Sequence, residues 1–252
     1  MRRTLALCLL ALLAVSAGCT SLFGPGELSD DQLNENTTYD DVWNRTTTGD
    51  QPPSVYIDVR TDDYRAVYDL GENRTTLDVY GRTGFGLERP LDVSGLRFRF
   101  DNGTVVSPAN HSNFTVEQGR EQLTITVPEE NGSLAFTAPK GGKSFSVPAF
   151  IQDVSYEAAL PPGVDVAVPL LSNVDPSPTR TFDEAGRTHI YWDSVSRDVS
   201  VRYYLDRDLL IFGSLAGLLV VAGVVGGVYY LRQIRELERR REEVALDVNR
   251  EE

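Results

Sequence analysis

Residues 209–231 form a run of 23 residues without a charged side chain, and this run constrains the fold more than any other feature of the chain. As an α-helix it would extend about 34 Å at about 1.5 Å per residue, enough to cross a bilayer core of about 30 Å. Asp208 and Arg232 bracket the run, and Tyr229 and Tyr230 lie near one end, where interfacial aromatic residues are common. The sequence therefore predicts one transmembrane helix over residues 209–231, with a buried helix of a soluble protein as the alternative.

A cluster of arginines follows the apolar run. By the positive-inside rule, the side of the membrane that carries such a cluster is the cytoplasm. The sequence therefore predicts that residues 232–252 form a short cytoplasmic helical tail, and that the domain before the apolar run lies outside the cell. The predicted orientation rests on Arg232, Arg235, Arg239, Arg240 and Arg241.

The first 18 residues predict a signal peptide. Arg2 and Arg3 precede 11 apolar residues, 5–15, a run too short to span a bilayer as a helix. The run leads into Val-Ser-Ala-Gly-Cys, which resembles a lipobox, although Ser16 stands where leucine is commonest. Cys19 is therefore predicted to become the lipid-bearing first residue after cleavage. An ordinary signal peptide and an uncleaved anchor are the alternatives.

Seven of the ten asparagines lie in Asn-X-Ser/Thr sequons, more than the two or three expected by chance. Glycosylation of such sites takes place outside the cytoplasm, which agrees with the predicted orientation. The alternative is that the sequons merely reflect a composition rich in threonine. The candidate glycosylation sites are Asn36, Asn44, Asn73, Asn102, Asn110, Asn113 and Asn131.

Carboxylates dominate the charge of the chain. It has 37 acidic and 24 basic residues, a net charge of −13, and only two lysines, Lys140 and Lys143. An acidic surface that is screened and hydrated in concentrated salt predicts a halophilic archaeal origin. The same charge argues against a nucleic-acid-binding protein, since contacts to phosphate need a basic patch. Cation binding by adjacent aspartates is the competing interpretation, but these pairs lack EF-hand spacing.

Residues 19–53 are polar and rich in residues that favour turns, and they predict a lipid-anchored flexible tether. Leu28, Leu33, Val42 and Trp43 are apolar exceptions that could dock on the following domain or form a short helix.

From Val55 onwards, apolar residues recur at every second position in short stretches separated by turn signals such as Asn102-Gly103. About ten short strands without a long amphipathic helix predict an extracytoplasmic β-sandwich over residues 54–207, with a possible split near residue 150. The predicted fold class is therefore mainly β, followed by one C-terminal transmembrane helix and a short cytoplasmic helix.

Residues with catalytic potential form no recognisable motif. Gly142-Lys143-Ser144 resembles the end of a P-loop, but Thr137 stands where that pattern needs glycine. His189 is predicted to lie at the surface rather than in a catalytic triad. Thirty acidic residues in the outer domain make any pairing of carboxylates uninformative. With two cysteines and two histidines in the chain, the sequence predicts no catalytic residues, no metal site and no cofactor.

Four glycines of the apolar run form two small-x-x-x-small patterns. Gly213 with Gly217, and Gly223 with Gly227, would let another helix approach closely, which predicts a possible homo-oligomer. Glycine is common in membrane helices in any case, so packing without self-association is the alternative.

Two stretches near the C-terminus carry a resemblance to a known family. They are Arg-Tyr-Tyr-Leu-Asp-Arg-Asp at residues 202–208 and Tyr-Leu-Arg-Gln-Ile-Arg-Glu-Leu-Glu-Arg-Arg-Arg-Glu-Glu at residues 230–243. With the glycine-rich span between them, they resemble an uncharacterised family, a domain of unknown function, of haloarchaeal membrane lipoproteins. The resemblance implies a location at the membrane and supplies no catalytic residues.

The sequence as a whole predicts a single-pass membrane lipoprotein that acts, without enzymatic activity, as a binding or assembly module on the outer face of an archaeal membrane. The expected partners are the lipid bilayer, an unknown protein and, through the transmembrane helix, a second copy of the chain. The alternative is a sensor or accessory subunit that couples the outer domain to a cytoplasmic partner through the membrane helix.

Overall fold

The computed structural model describes residues 28–43, 52–83 and 86–248, with side chains described up to residue 239 except that of Glu238. The predicted signal peptide, Cys19 and Asn44 lie outside the described residues. The chain divides into two compact units, Met1–Tyr203 and Tyr204–Glu252.

The described part of the chain contains three α-helices, one short 3-10 helix and 17 strands. The α-helices are α1 (Asp30–Leu33), α2 (Asp40–Trp43) and α3 (Asp206–Val248), and the 3-10 helix is Pro108–Asn110. The strands before residue 130 are β1 (Val55–Val59), β2 (Asp63–Asp69), β3 (Thr76–Arg82), β4 (Glu88–Pro90), β5 (Ser94–Arg99), β6 (Val105–Val106), β7 (Thr115–Gln118) and β8 (Leu123–Thr126). The later strands are β9 (Ser133–Pro139), β10 (Ser144–Val147), β11 (Val154–Ala159), β12 (Val164–Asp165), β13 (Asn173–Asp175), β14 (Arg180–Glu184), β15 (Arg187–Val195), β16 (Val199–Arg202) and β17 (Tyr204–Leu205).

An eight-stranded sheet forms the largest layer of the first unit. Its strand order is β14-β15-β11-β1-β2-β9-β5-β6. The pairing of β1 with β11 is parallel, with Val55 opposite Tyr156, whereas β1 pairs with β2 in the antiparallel sense. Strands from both sides of residue 150 therefore share one sheet, which differs from a division into two β-domains at that point.

Besides the large sheet, the first unit contains a four-stranded sheet, a three-stranded sheet and the short strand β12. The four-stranded sheet has the order β4-β3-β8-β7, and the three-stranded sheet has the order β10-β16-β13. Phe150 connects the eight-stranded sheet with the four-stranded sheet. Its ring contacts Tyr68 of β2 (centroids 5.8 Å apart) and Tyr80 of β3 (5.5 Å apart). These sheets bury one face each in the usual alternation of a half-buried strand, as Leu77 and Val79 of β3 show. The layers together make the predicted sandwich.

The core lies between these layers and is built from the alternation that the sequence shows. The large sheet directs one set of side chains into it, among them Ile57, Phe136 and Trp192. Trp192 satisfies its one polar atom by donating its indole N–H to the carbonyl oxygen of Pro176 (2.8 Å). The prediction of a mainly β domain followed by a C-terminal apolar helix is confirmed.

The segment before β1 packs on the outer face of the large sheet. Tyr39 and Val42 are buried against Tyr56, Ala135 and Ala159. The side chain of Ser29 caps α1 by accepting from the backbone N–H of Gln32 (3.2 Å). Within residues 28–43, the segment therefore differs from the flexible tether predicted for residues 19–53. The reason is the alternative that the sequence left open: its few apolar residues dock.

The second unit is dominated by α3, which continues without interruption from the apolar run into the charged tail. Residues 206–237 are long and apolar enough to cross a membrane, and none of the most apolar window is buried within the structure. At its start, Asp208 accepts a hydrogen bond from the backbone N–H of Leu205 (3.1 Å). Ser214 satisfies its hydroxyl within the helix, on the carbonyl oxygens of Leu210 (2.7 Å) and Ile211 (3.0 Å). The predicted membrane helix and tail helix are thus one element.

Candidate functional site

The two faces of the eight-stranded sheet differ in chemistry. One is the apolar face of the core, and the other, which we call the polar face, carries charged and aromatic side chains at the alternate positions. Strand register places these residues side by side, because directly opposed residues point to the same side of a sheet. The polar face comprises Arg180, Phe182 and Glu184 of β14, Arg187, His189 and Tyr191 of β15, Glu157 and Ala159 of β11, Tyr56 and Asp58 of β1, Arg65 and Val67 of β2, and Ala135 and Thr137 of β9.

A buried carboxylate organises the middle of the polar face. Asp58 is 3% exposed and binds two guanidinium groups, with Arg65 Nη2 at 2.6 Å from Oδ2 and Arg187 Nη2 at 2.7 Å from Oδ1. Burial alone would lower the pKa of Arg65, but hydrogen bonds to Asp41 and Asp58 outweigh it and raise the pKa above its ordinary value. Arg65 also joins the sheet to α2, because its Nη1 donates to Asp41 Oδ1 (2.9 Å).

Asp41 and Tyr39 show the electrostatic consequences of this docking. The hydrogen bond from Arg65 holds the pKa of the Asp41 carboxyl below its usual range. Burial raises the pKa of Tyr39 to about 12. The Tyr39 hydroxyl donates to the carbonyl oxygen of Gly95 (2.9 Å) and lies 3.0 Å from Thr137 Oγ1. The segment is therefore held by specific polar contacts as well as by apolar burial.

A second polar cluster on this face contains Glu157, Glu184 and His189. The Nδ1 atom of His189 lies 2.9 Å from Oε1 of Glu157, and the two residues are 1% and 0% exposed. Glu184 is half-buried beside them, and one coordinating atom from each residue lies within 4.8 Å of the others. The ring of Phe182 stacks on that of His189 (centroids 5.2 Å apart, 22° between planes). The three side chains lie close enough together to hold a cation.

The prediction of a surface position for His189 is wrong. His189 is 1% exposed, and the strand register sets it opposite Ala159 of β11 and Phe182 of β14. The residues next to it in the sequence do not reveal these partners. The sequence analysis also missed Glu157, whose neighbours Tyr156 and Ala158 alternate with it on β11 and point into the core. That alternation was the available signal. The other histidine, His111, lies against Phe100 (centroids 6.0 Å apart) and takes no part in the cluster.

A basic cleft opens where the three sheets meet. It has a volume of about 240 Å³ and is lined by Arg82, Arg89 and Lys140 together with serines and backbone groups. Arg82 is paired with Asp198 and with Glu88 (3.3 Å). Arg89 is exposed. Because Arg82 already pairs with two carboxylates, Arg89 and Lys140 are the basic residues of this cleft to which an acidic group could bind.

The candidate glycosylation sites in the described residues are all exposed. Each lies outside the strands, in a turn, in a loop or in the short 3-10 helix, where a glycan could extend into solvent without disturbing a sheet. They are Asn36, Asn73, Asn102, Asn110, Asn113 and Asn131.

The candidate residues of α3 occupy defined positions around the helix. At about 100° per residue, Gly213, Gly217, Gly223 and Gly227 fall within one arc of about 120°. A Cβ atom added at any of the four would meet no other atom within 4 Å. Further along, Arg232, Arg235 and Arg239 are exposed, whereas the side chains of Arg240 and Arg241 lie outside the described residues.

These observations define a class of protein: a β-domain with several sheets, followed by a single C-terminal helix long and apolar enough to span a membrane. Within that class, residues 51–249 match the model of a family of unknown function (DUF5803), and the chain belongs to this family. No curated protein and no solved structure matches the chain.

Proposed function

We propose that this protein is a single-pass membrane protein whose β-domain lies outside the cell and acts there as a non-enzymatic binding or assembly module. The observation that carries the proposal is α3, whose apolar side chains are exposed over a length sufficient to cross a bilayer. Such a surface is stable only in lipid or against other apolar helices. The outer domain would then be held at the membrane surface by its C-terminus, and by a lipid on Cys19 as well.

Two independent features support this orientation. Arginines follow the apolar part of α3, which favours a cytoplasmic C-terminus. The sequons of the described β-domain are exposed, as acceptors for glycans added outside the cell must be. Protease treatment of intact cells tests the orientation: we expect loss of the β-domain and protection of a tag at the C-terminus. Protection of the β-domain would overturn it.

The basic cleft supports a binding role for the domain. In a halophilic setting, an acidic surface keeps the domain soluble, and a local cluster of cations selects acidic groups on a neighbouring surface protein or glycan. Crosslinking of the full-length protein in native membranes at high salt tests this role. We expect partners crosslinked through residues 54–207, and we expect Arg89→Glu to reduce their yield several-fold. Arg120→Glu, which reverses the charge of another exposed arginine, is the matched control.

The alternative role is that of a sensor or accessory subunit. The observation that favours it is the continuity of α3 across the end of the apolar run, because one uninterrupted helix can carry a displacement from one side of the membrane to the other. Deletion of residues 233–252 separates the two roles. An outward module keeps its partners and its phenotype, whereas a transducer loses its phenotype while keeping its outer partners.

A further inference from the structure

We propose that Glu157, Glu184 and His189 form a binding site for a divalent transition-metal ion, with Zn²⁺ as the ion that fits their chemistry best. The three residues lie close together although 32 positions separate the first from the last. The site lies on the polar face of the large sheet, and the inference does not depend on the proposed function.

The sheet brings the three residues together by register. They belong to the adjacent strands β11, β14 and β15, and all three point to the polar face. Glu184 and Arg187 form the closing pair of the β14–β15 hairpin, and His189 follows on the same side. The ligands therefore come from rigid strands, which hold a metal site more accurately than loops do.

The distances suit one shared ion. His189 Nδ1 and Glu157 Oε1 lie 2.9 Å apart in a hydrogen bond, and two atoms that each bind a tetrahedral Zn²⁺ at about 2.1 Å are separated by about 3.4 Å, so the ion would replace this hydrogen bond with only a small separation of the two atoms. Glu184 completes a set in which no two coordinating atoms are further apart than 4.8 Å. Since Glu184 is half-buried, its side chain can rotate towards the other two ligands and give the ion a route of entry.

The charges also favour a dication. Glu157 and His189 are removed from water almost completely, and Glu184 is half-buried. A bound divalent ion would offset the charge of its carboxylate ligands at a point where burial makes charge costly.

The ligand types select the class of ion. A histidine nitrogen with two carboxylate oxygens suits Zn²⁺, Mn²⁺, Fe²⁺ or Co²⁺, whereas Mg²⁺ and Ca²⁺ prefer oxygen ligands alone. The ring of Phe182 stacks on the imidazole of His189 and restricts its rotation. Three protein ligands leave at least one position for water, so the site is built to hold an ion and still exchange it.

Metal titration of the full-length protein in detergent tests the proposal. The protein is first treated with chelator and then titrated with Zn²⁺ by calorimetry in molar NaCl with excess Mg²⁺, which suppresses weak binding to surface carboxylates. We expect one Zn²⁺ per chain and a rise in the melting temperature that chelator reverses. Co²⁺ should bind in the same ratio and give visible absorption bands of a site with a nitrogen ligand.

Glu184→Gln is the decisive variant, because a half-buried, isosteric change should leave the β-domain folded. We expect it to weaken Zn²⁺ binding at least tenfold, and His189→Ala to abolish the stoichiometric step. Glu117→Gln, a change at an exposed position of β7 in the four-stranded sheet, should bind Zn²⁺ as tightly as the wild type does. The proposal is overturned if excess Mg²⁺ displaces the Zn²⁺, if no stoichiometric binding of Zn²⁺ occurs, or if Glu184→Gln binds Zn²⁺ as tightly as the wild type.

Discussion

The phenol hydroxyl of Tyr39 donates a hydrogen bond to the carbonyl oxygen of Gly95, 56 positions further along the chain. The contact is buried and joins the segment before β1 to the strand β5. It therefore belongs to the small set of interactions that decide whether residues 28–43 are part of the domain. The first two predictions concern this contact.

Tyr39→Phe should lower the free energy of unfolding by about 1–2 kcal/mol, because it removes a buried hydroxyl and leaves the Gly95 carbonyl without its donor. The fluorescence of the two tryptophans, Trp43 beside the contact and Trp192 in the core, offers the measurement. In a Trp192→Phe background, the emission of Trp43 should shift towards that of a water-exposed indole at lower urea concentration. An unchanged midpoint would contradict the prediction.

Gly95→Ala should displace the segment. The residue has a φ of 60°, and a Cβ atom there would lie 2.5 Å from Thr37 Oγ1 and 3.2 Å from the Tyr39 hydroxyl. Gly71 is a matched control, since its φ is 59° and a Cβ atom there would meet nothing within 4 Å. Both variants should lose about 1 kcal/mol to backbone strain. Only Gly95→Ala should also expose Trp43 in the native state, and equal effects of the two would contradict a collision.

Asp58→Asn should be one of the more damaging single changes in the β-domain. It leaves the guanidinium groups of Arg65 and Arg187, two largely buried cations, without their shared carboxylate, at a cost of about 3 kcal/mol. Thermal unfolding of the full-length protein at constant salt measures the change. Asp175→Asn, which breaks an exposed pair with Arg197, should cost well under 1 kcal/mol. Similar losses in the two variants would contradict the assigned role of burial.

The docked segment should loosen in acid. The pKa of Asp41 is lower in the folded state than in the unfolded chain, because Arg65 stabilises its charged form. Its contribution is therefore complete above the unfolded value of about 4 and is lost as the pH falls through the lower folded value. The unfolding midpoint of the wild type should fall between pH 6 and pH 2. Asp41→Asn should make this dependence of the midpoint on pH weaker. If the midpoint of the variant depended on pH as that of the wild type does, the contribution assigned to Asp41 would be contradicted.

Self-association through α3 is the last prediction. The four glycines lie on one arc of the helix, so Gly217→Leu should weaken a dimer held by close helix packing. Ala222 lies on the opposite side, about 180° from Gly213, and Ala222→Leu is the matched control. Crosslinking in membranes at a fixed ratio of protein to lipid measures the dimer. Equal dimer yields in both variants would contradict packing through the glycine face.

The alternation of apolar residues predicts most of the sandwich, but it misses strands whose outward positions are charged. Strand β2 is an example: Tyr64, Ala66 and Tyr68 enter the core, while charged residues occupy most of the positions between and around them. The charge of Arg65 on the polar face is compensated because its guanidinium group pairs with the carboxylate of Asp58. Such compensation depends on residues far away in sequence, so no local pattern contains it.

The candidate metal site could not be predicted from the sequence for the same reason. Glu157 is one of thirty acidic residues in residues 20–208, and the alternation around it indicates a strand but not a buried carboxylate. Only the order of strands β14, β15 and β11 brings it beside His189. The position of α3, by contrast, follows from an uninterrupted local run, and for that reason the sequence predicts the helix directly.

The parallel pairing of β1 with β11 sets the order in which this domain can mature. The two strands lie at the centre of the large sheet, and Val55 waits for a neighbour, Tyr156, made about 100 residues later. Loops of that length close slowly, so the middle of the sheet stays incomplete until β11 has been synthesised. The large sheet can therefore be completed only when most of the β-domain has been made. A chain that stalls before β11 would leave one edge of β1 unpaired and open to pairing with another chain.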